Sequence, residues 1–207
     1  MDTIVVLHGL WLKGTELGLL RSRLRTAGFD PQQFRYPSMA AGLDQNAAGL
    51  AAHLEALPGQ TLHLLGHSLG GVVILRMLQR YAVERIGRVV CLGSPLQGSG
   101  AARVLANLPG GTRVLGKTMA DLSHGGVVDR WSGAQELGII AGDFPLGLGQ
   151  LLGGVPVPHD GTVAVQETRL EGATDHLVLP VSHFSMLWSR EVVEQVVCFL
   201  RDGRFLR

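Results

Sequence analysis

The sequence is poor in cysteine and in charge, and each shortage excludes a class of protein. Only two of its 207 residues are cysteine, Cys91 and Cys198. Both lie in apolar runs, so we expect buried free thiols rather than a disulfide framework or a metal site. Lys and Arg number 18 against 17 Asp and Glu. With no basic block among them, the sequence predicts no nucleic-acid partner.

Long apolar runs and glycine-rich nucleotide loops are also missing. No apolar stretch approaches the ~20 residues that span a bilayer, so no membrane span is expected. No basic segment followed by an apolar run opens the chain, so we expect no secretory leader and a cytoplasmic protein. No His and Cys spacing is typical of zinc, and no nucleotide-binding loop follows a strand, so neither a metal nor another cofactor is expected. Nothing in the sequence indicates an oligomeric state.

Short apolar runs alternate with helical patterns along the chain. The runs predict buried strands at 3–7, 61–65, 88–92, 137–141 and 176–181, with a weaker strand at 33–36. Apolar residues spaced three and four apart predict helices at 15–27, 43–57, 72–81 and 189–200, the last with Ser189 as its N-cap. Strands that alternate with helices form a parallel sheet covered on both faces. The sequence therefore predicts a single α/β domain over residues 1–207.

Glycine is abundant, at 29 of 207 residues, and much of it lies between predicted strands. Segment 96–136 is rich in Gly, Ala and Ser and shows only weak helical patterns, at 101–108 and 114–122. Long connections on the ligand-binding side of a sheet often cover the site, so we expect a small cap or lid at 96–136. Residues 96–136 and 145–158 are predicted to be the least regular part of the fold.

One serine lies between a predicted strand and a predicted helix, in the run Gly66-His67-Ser68-Leu69-Gly70. On such a turn a serine is held in strained backbone geometry with its hydroxyl exposed, and the two glycines remove β-carbons that would collide with the strand and helix. The backbone N–H of Leu69, at the start of the helix, points to where an oxyanion would form. This setting predicts that Ser68 is a nucleophile.

This run, extended to Gly71, and the earlier Leu7-His8-Gly9 resemble the α/β-hydrolase superfamily, and within it lipases and esterases of the triacylglycerol-lipase type. Residues 91–99 are similar to a stretch of those lipases, with Leu96 where they carry a histidine. Residues 160–163, Asp-Gly-Thr-Val, are similar to the stretch that carries their acid. The resemblance implies an α/β-hydrolase fold, with a mostly parallel sheet, helices on both faces and a short cap.

The resemblance also implies the partners of Ser68. The family order of nucleophile, acid and base places the base at His183, just before the last helix. It places the acid at Asp160, in the lipase-like stretch. Two other carboxylates stay open as the acid: Asp143, which follows the 137–141 strand, and Asp175, at a strand entrance.

Two residues after the first strand are expected to complete the site. Leu10 would supply the second oxyanion donor through its backbone N–H, beside that of Leu69. Trp11 is expected to wall the acyl site or to pack as an ordinary aromatic side chain. The expected activity is hydrolysis of a small-molecule acyl ester through an acyl-enzyme on Ser68. Acyl transfer or thioester cleavage at the same triad, and a non-catalytic binding protein with this fold, stay open as alternatives.

Overall fold

Most strands of the sheet form where the sequence predicts buried apolar strands. A computed structural model of the protein describes residues 1–121, 129–147 and 155–207. Within these residues six parallel strands lie in the order β2-β1-β3-β4-β5-β6. Their bounds are β1 Thr3–Leu7, β2 Asp30–Phe34, β3 Leu62–His67, β4 Ile86–Leu92, β5 Leu137–Gly142 and β6 Asp175–Leu179. The predicted α/β architecture with a parallel sheet is confirmed.

Helices cover both faces of the sheet. Those of the described residues are α1 Gly18–Thr26, α2 Leu43–Ala56, α3 Leu69–Arg80, α4 Gly100–Ala106, α5 Gly111–Ala120, α6 Val165–Thr168 and α7 Arg190–Asp202, with a 3₁₀ turn at Ser185–Leu187. Val5 and Leu7 of β1 face a core shared with α2 and α3, whereas Ile4 and Val6 face a core shared with α1 and α7. Because both faces are buried, the central strands are largely apolar, with His63 and His67 in β3 and Arg88 in β4 as exceptions.

The strand order reverses at β1, which has β2 on one side and β3 on the other. Leu7, the last residue of β1, pairs with Gly66 near the end of β3. The loops that follow these two strands therefore lie side by side. Open α/β sheets bind ligands in the crevice at such a reversal, outside the carboxyl ends of the strands.

Segment 96–136 is more regular than we expected. It contains α4 and α5, which lie close to the weak helical patterns of the sequence. The Ser99 hydroxyl accepts a hydrogen bond from the Ala102 N–H at 3.1 Å and so caps the start of α4. The expectation of low regularity is therefore wrong for most of residues 100–120. Residues 122–128 of this segment lie outside the described residues.

Segment 145–158 agrees with the expectation as far as it is described. Residues 145–147 and 155–158 form neither helix nor strand, and residues 148–154 lie outside the described residues. Strand β2 begins three residues earlier than the predicted 33–36, because its polar sequence at the edge of the sheet carries no apolar pattern.

Both cysteines are free thiols, but only one matches the predicted burial. Cys91 is buried in β4, whereas Cys198 on α7 is partly exposed, so the prediction of burial is wrong for Cys198. Ser189 accepts a hydrogen bond from the Val192 N–H at 3.3 Å and caps α7, as predicted. None of the described helices is both long enough and apolar enough to span a membrane.

Candidate active site

Ser68 forms the whole turn between β3 and α3. Its backbone angles are φ 54° and ψ −122°, in a region that residues other than glycine rarely occupy. A strained serine of this kind is characteristic of a nucleophile on a strand-to-helix turn. Its side chain is partly exposed, and its hydroxyl makes no hydrogen bond to any described residue. The Ser68 hydroxyl is therefore available to contact a ligand.

The glycines around Ser68 let backbone segments approach closely. A β-carbon on Gly66 would lie 2.3 Å from the Gly71 nitrogen, and one on Gly70 would lie 2.7 Å from the Leu7 carbonyl oxygen. Both distances are shorter than van der Waals contact. Because the colliding atoms belong to backbone, no side-chain rotation can relieve them, so the turn requires glycine at these positions.

Replacing Gly66 with alanine should destabilise the fold. Forcing a methyl group against the Gly71 backbone should lower the free energy of unfolding by about 3 kcal/mol, as measured by urea denaturation. Gly18→Ala is the matched control, because a β-carbon there meets nothing within 4 Å. At that helical position alanine should leave stability unchanged or raise it by up to about 1 kcal/mol. Equal stabilities for the two variants would contradict this account of the turn.

The structure brings Asp160 and His183 together in a buried pair. The His183 Nδ1–H donates to Asp160 Oδ2 at 2.7 Å, and the two side chains are 4% and 1% exposed. Asp160 Oδ1 accepts the N–H groups of Thr162 and Val163 at 2.9 and 2.7 Å. Burial alone would raise the pKa of Asp160. The charge and hydrogen bond of His183, with the two N–H donors, outweigh burial and hold that pKa below its usual value.

The other two candidate acids lie elsewhere. Asp143 is exposed after β5, and its backbone N–H donates to the Leu179 carbonyl at 3.1 Å. The Asp175 carboxylate accepts the Phe205 N–H at 2.9 Å and pairs with the Arg207 guanidinium, which ties the end of the chain to β6. Of the three carboxylates, only Asp160 contacts His183 within the described residues.

The structure places Leu10, Trp11 and Leu69 around Ser68. Leu10 and Trp11 line the same cavity as Ser68, and Leu69 is the first residue of α3. A β-carbon on Gly9 would lie 3.1 Å from that of Ser68, so the loop after β1 runs directly against the serine. The loop after β1 and the start of α3 therefore both lie next to Ser68.

Tyr36 holds the loop after β1, and the sequence alone does not reveal this. Its ring stacks on that of His8, with centroids 4.4 Å apart and planes 8° apart. Its hydroxyl donates to the His8 carbonyl at 2.7 Å. Burial lowers the pKa of His8. The two residues are 28 positions apart, so no local pattern signals the pair.

His67, which directly precedes Ser68, also has a structural role in the site. Its Nε2–H donates to the His183 carbonyl at 2.9 Å, and the two rings are 4.7 Å apart. Burial and the nearby charge of His183 lower the pKa of His67 to about 3, so the His67 ring is neutral at ordinary pH. His67 thus fixes the backbone of the residue predicted to be the base.

Ser68 and His183 open onto a cavity of about 130 Å³. Its apolar lining comes from the loop after β1, from α4 and α5 and from the residues near the predicted acid and base: Leu10, Trp11, Leu12, Pro95, Ala101, Ala102, Leu105, Leu115, Met119, Val163 and Phe184. No Asp, Glu, Lys or Arg belongs to its described lining. The cavity therefore suits a neutral, apolar group. In the part of the chain that the structure describes, no cluster of His, Cys, Asp or Glu could hold a metal ion.

Comparison with known proteins agrees with this geometry. A family model described as the alpha/beta hydrolase fold matches residues 22–113. No curated protein matches the sequence. Among solved structures, the mature form of a lipase from Bacillus licheniformis is similar, with a TM-score of 0.72 at 20% identity, over 98% of this chain and 92% of that one.

Two further structures share the architecture. A metagenomic carboxyl esterase has a TM-score of 0.66 at 19% identity, over 87% of this chain and 64% of its own. A meta-cleavage product hydrolase from Pseudomonas fluorescens IP01 has a TM-score of 0.69 at 13% identity, over 99% and 92%. At these identities the likeness concerns the fold. The family match over residues 22–113 and these structural likenesses show that the chain has an α/β-hydrolase fold.

Proposed function

We propose that the protein is a serine hydrolase that cleaves carboxylic esters through an acyl-enzyme on Ser68. The observation that carries the proposal is the hydrogen bond between His183 Nδ1 and Asp160, beside the cavity that Ser68 lines. With Nδ1–H bound to a carboxylate, Nε2 is the basic nitrogen, and it can take a proton from a serine hydroxyl. A serine is a weak nucleophile without such a base.

Acylation uses groups that lie around this cavity. The Ser68 oxygen attacks the ester carbonyl carbon while its proton passes to His183 Nε2. The carbonyl oxygen becomes an oxyanion, which accepts hydrogen bonds from the Leu10 and Leu69 N–H groups. When the intermediate collapses, the ester C–O bond breaks and the departing alcohol takes the proton from His183. Asp160 stabilises the imidazolium that forms between these two transfers.

Deacylation repeats the sequence with water. His183 Nε2 takes a proton from the water as its oxygen attacks the acyl carbon. The second oxyanion binds the same two N–H groups, and its collapse releases a carboxylic acid and returns the proton to Ser68. The apolar lining, without Asp, Glu, Lys or Arg among its described residues, favours an uncharged acyl group as the substrate.

A fluorophosphonate probe tests the proposal directly. Folded protein should be labelled on the peptide that contains Ser68, located by mass spectrometry, and should hydrolyse p-nitrophenyl butyrate. Protein unfolded in urea should show neither property, because labelling requires the strained turn and the base. Folded protein that neither reacts with the probe nor hydrolyses the ester would contradict the proposal and favour a non-catalytic binding protein with this fold.

A further inference from the structure

Helix α5, which lines the cavity, is interrupted near its middle. Gly116 has φ 67° and ψ 176°, far from helical values. The next N–H, that of Lys117, donates to the Met39 carbonyl at 3.0 Å instead of to its own helix. A β-carbon on Gly116 would lie 2.7 Å from the Met39 Cα, so the kink is a close backbone contact. The Val114 carbonyl lies two residues before the interruption at Gly116.

Trp11 binds that carbonyl. Its indole Nε1–H donates to the Val114 oxygen at 2.8 Å, across 103 positions of the chain. Trp11 has φ 61°, and it shares a positive φ with only Ser68 among the described residues other than glycine. Such a conformation is costly for a residue with a β-carbon and persists only where surrounding contacts hold it. The bond to α5 is one such contact, and it acts on the residue next to Leu10.

Helix α5 is in turn anchored to the start of α2. The Thr118 hydroxyl donates to the Ala41 carbonyl at 2.7 Å and accepts from the Asn46 amide at 2.9 Å. The Asp121 carboxylate accepts the Leu43 N–H at 2.9 Å. Thr118 and Asn46 are buried, so these bonds are shielded from water. These bonds anchor the part of α5 that follows Gly116. On the other side of the break, Leu115, the residue after Val114, is buried in the core shared with α2 and α3, so the Val114 carbonyl is also held in place.

We infer that Trp11 is a positioning residue, which holds the loop after β1 against α5 so that the Leu10 N–H faces the oxyanion. The inference rests on the proposed function. Tyr36 holds one side of the loop through His8, and Trp11 holds the other. Without the bond to α5, the strained backbone at Trp11 can relax and carry the Leu10 N–H away from Ser68. An oxyanion donor acts mainly in the transition state, so its displacement lowers kcat more than it raises KM.

Trp11→Phe tests this role, because phenylalanine keeps an aromatic wall and removes the N–H. On p-nitrophenyl butyrate, kcat should fall about tenfold while KM stays within about twofold. Trp188→Phe is the matched control: Trp188 is exposed and lies outside the cavity lining, so its replacement should change neither constant. A Trp11→Phe variant with unchanged kcat, or with a raised KM alone, would show that Trp11 only walls the cavity and would overturn the inference.

Substitutions at Thr118, which anchors α5, test the inference independently. Thr118→Val removes the hydroxyl but keeps the side-chain shape, and it should lower kcat as Trp11→Phe does. Combining the two should lower kcat less than the product of the single effects, since both act through α5. Thr118→Ser should restore activity. If the two substitutions lower kcat by fully multiplicative factors, Trp11 and Thr118 do not act together through α5. Absence of hydrolysis in the unmodified protein would instead overturn the proposed function itself.

Discussion

Replacing Ser68 with alanine should lower kcat on p-nitrophenyl butyrate by at least about 10⁴-fold. The serine oxygen forms the covalent bond of the acyl-enzyme, and no other hydroxyl can take its place on the turn between β3 and α3. Residual turnover would come from the oxyanion site and from binding alone. Since the hydroxyl makes no hydrogen bond to the described residues, its removal should leave the unfolding midpoint in urea nearly unchanged.

A second serine provides the control. Ser22 is exposed on α1, on the far side of the sheet from α2 and α3, so Ser22→Ala should keep full activity. The fluorophosphonate probe should label Ser22→Ala as it labels the unmodified protein and should leave Ser68→Ala unlabelled. If Ser68→Ala and the unmodified protein hydrolyse the ester at equal rates, the proposed nucleophile is wrong.

Asp160→Asn should lower kcat by about 10³-fold to 10⁴-fold with little change in KM. The amide cannot stabilise the imidazolium of His183, and it can favour the tautomer in which Nε2 carries the proton. The oxygen of the substituted amide can still accept the N–H groups of Thr162 and Val163, so the fold should be retained. Ser68 should therefore remain reactive toward the fluorophosphonate, although more slowly.

The same substitution at the other two carboxylates separates the candidate acids. Asp143→Asn should keep full activity, because that side chain is exposed after β5. Asp175→Asn should lower stability by weakening the contacts with Phe205 and Arg207 but should leave kcat within about threefold. A large loss of kcat in Asp143→Asn and none in Asp160→Asn would reverse the assignment.

Most strands of the sheet could be predicted because each one carries its own apolar run in the sequence. The β1 prediction, 3–7, coincides with the observed strand, and the predictions for β3, β4 and β5 differ from the observed strands by at most two residues at either end. Buried parallel strands consist mostly of apolar residues, so each one can be recognised in its own short segment. Strand β2 is polar and lies at the edge, and the helical patterns of α4 and α5 are weak. At these places the local signal is smaller than the contribution of tertiary packing.

Some residues of the candidate site could likewise be predicted from local sequence, and others could not. Ser68 could be predicted from five consecutive residues, because its strained turn requires glycine on both sides within the same segment. The choice among three carboxylates could not be made from local residues, since Asp160 and His183 meet only after β5 and β6 are paired. His67 contacts His183 across 116 positions, and its acceptor is a backbone carbonyl, which any residue would provide.

The sequence by itself thus determined the parallel sheet and the glycine-flanked turn at Ser68, and its resemblance to a known family predicted Asp160 and His183 as the partners of that serine. Only the tertiary structure decided which carboxylate meets His183, which aromatic residues hold the loop after β1, and that α4 and α5 line the cavity. The reason is physical. Strand burial and turn strain depend on neighbouring residues, whereas the bonds of Tyr36 and Trp11 to backbone carbonyls depend on how distant elements pack. Every residue has a backbone carbonyl, so a hydrogen bond to one leaves no pattern in the sequence.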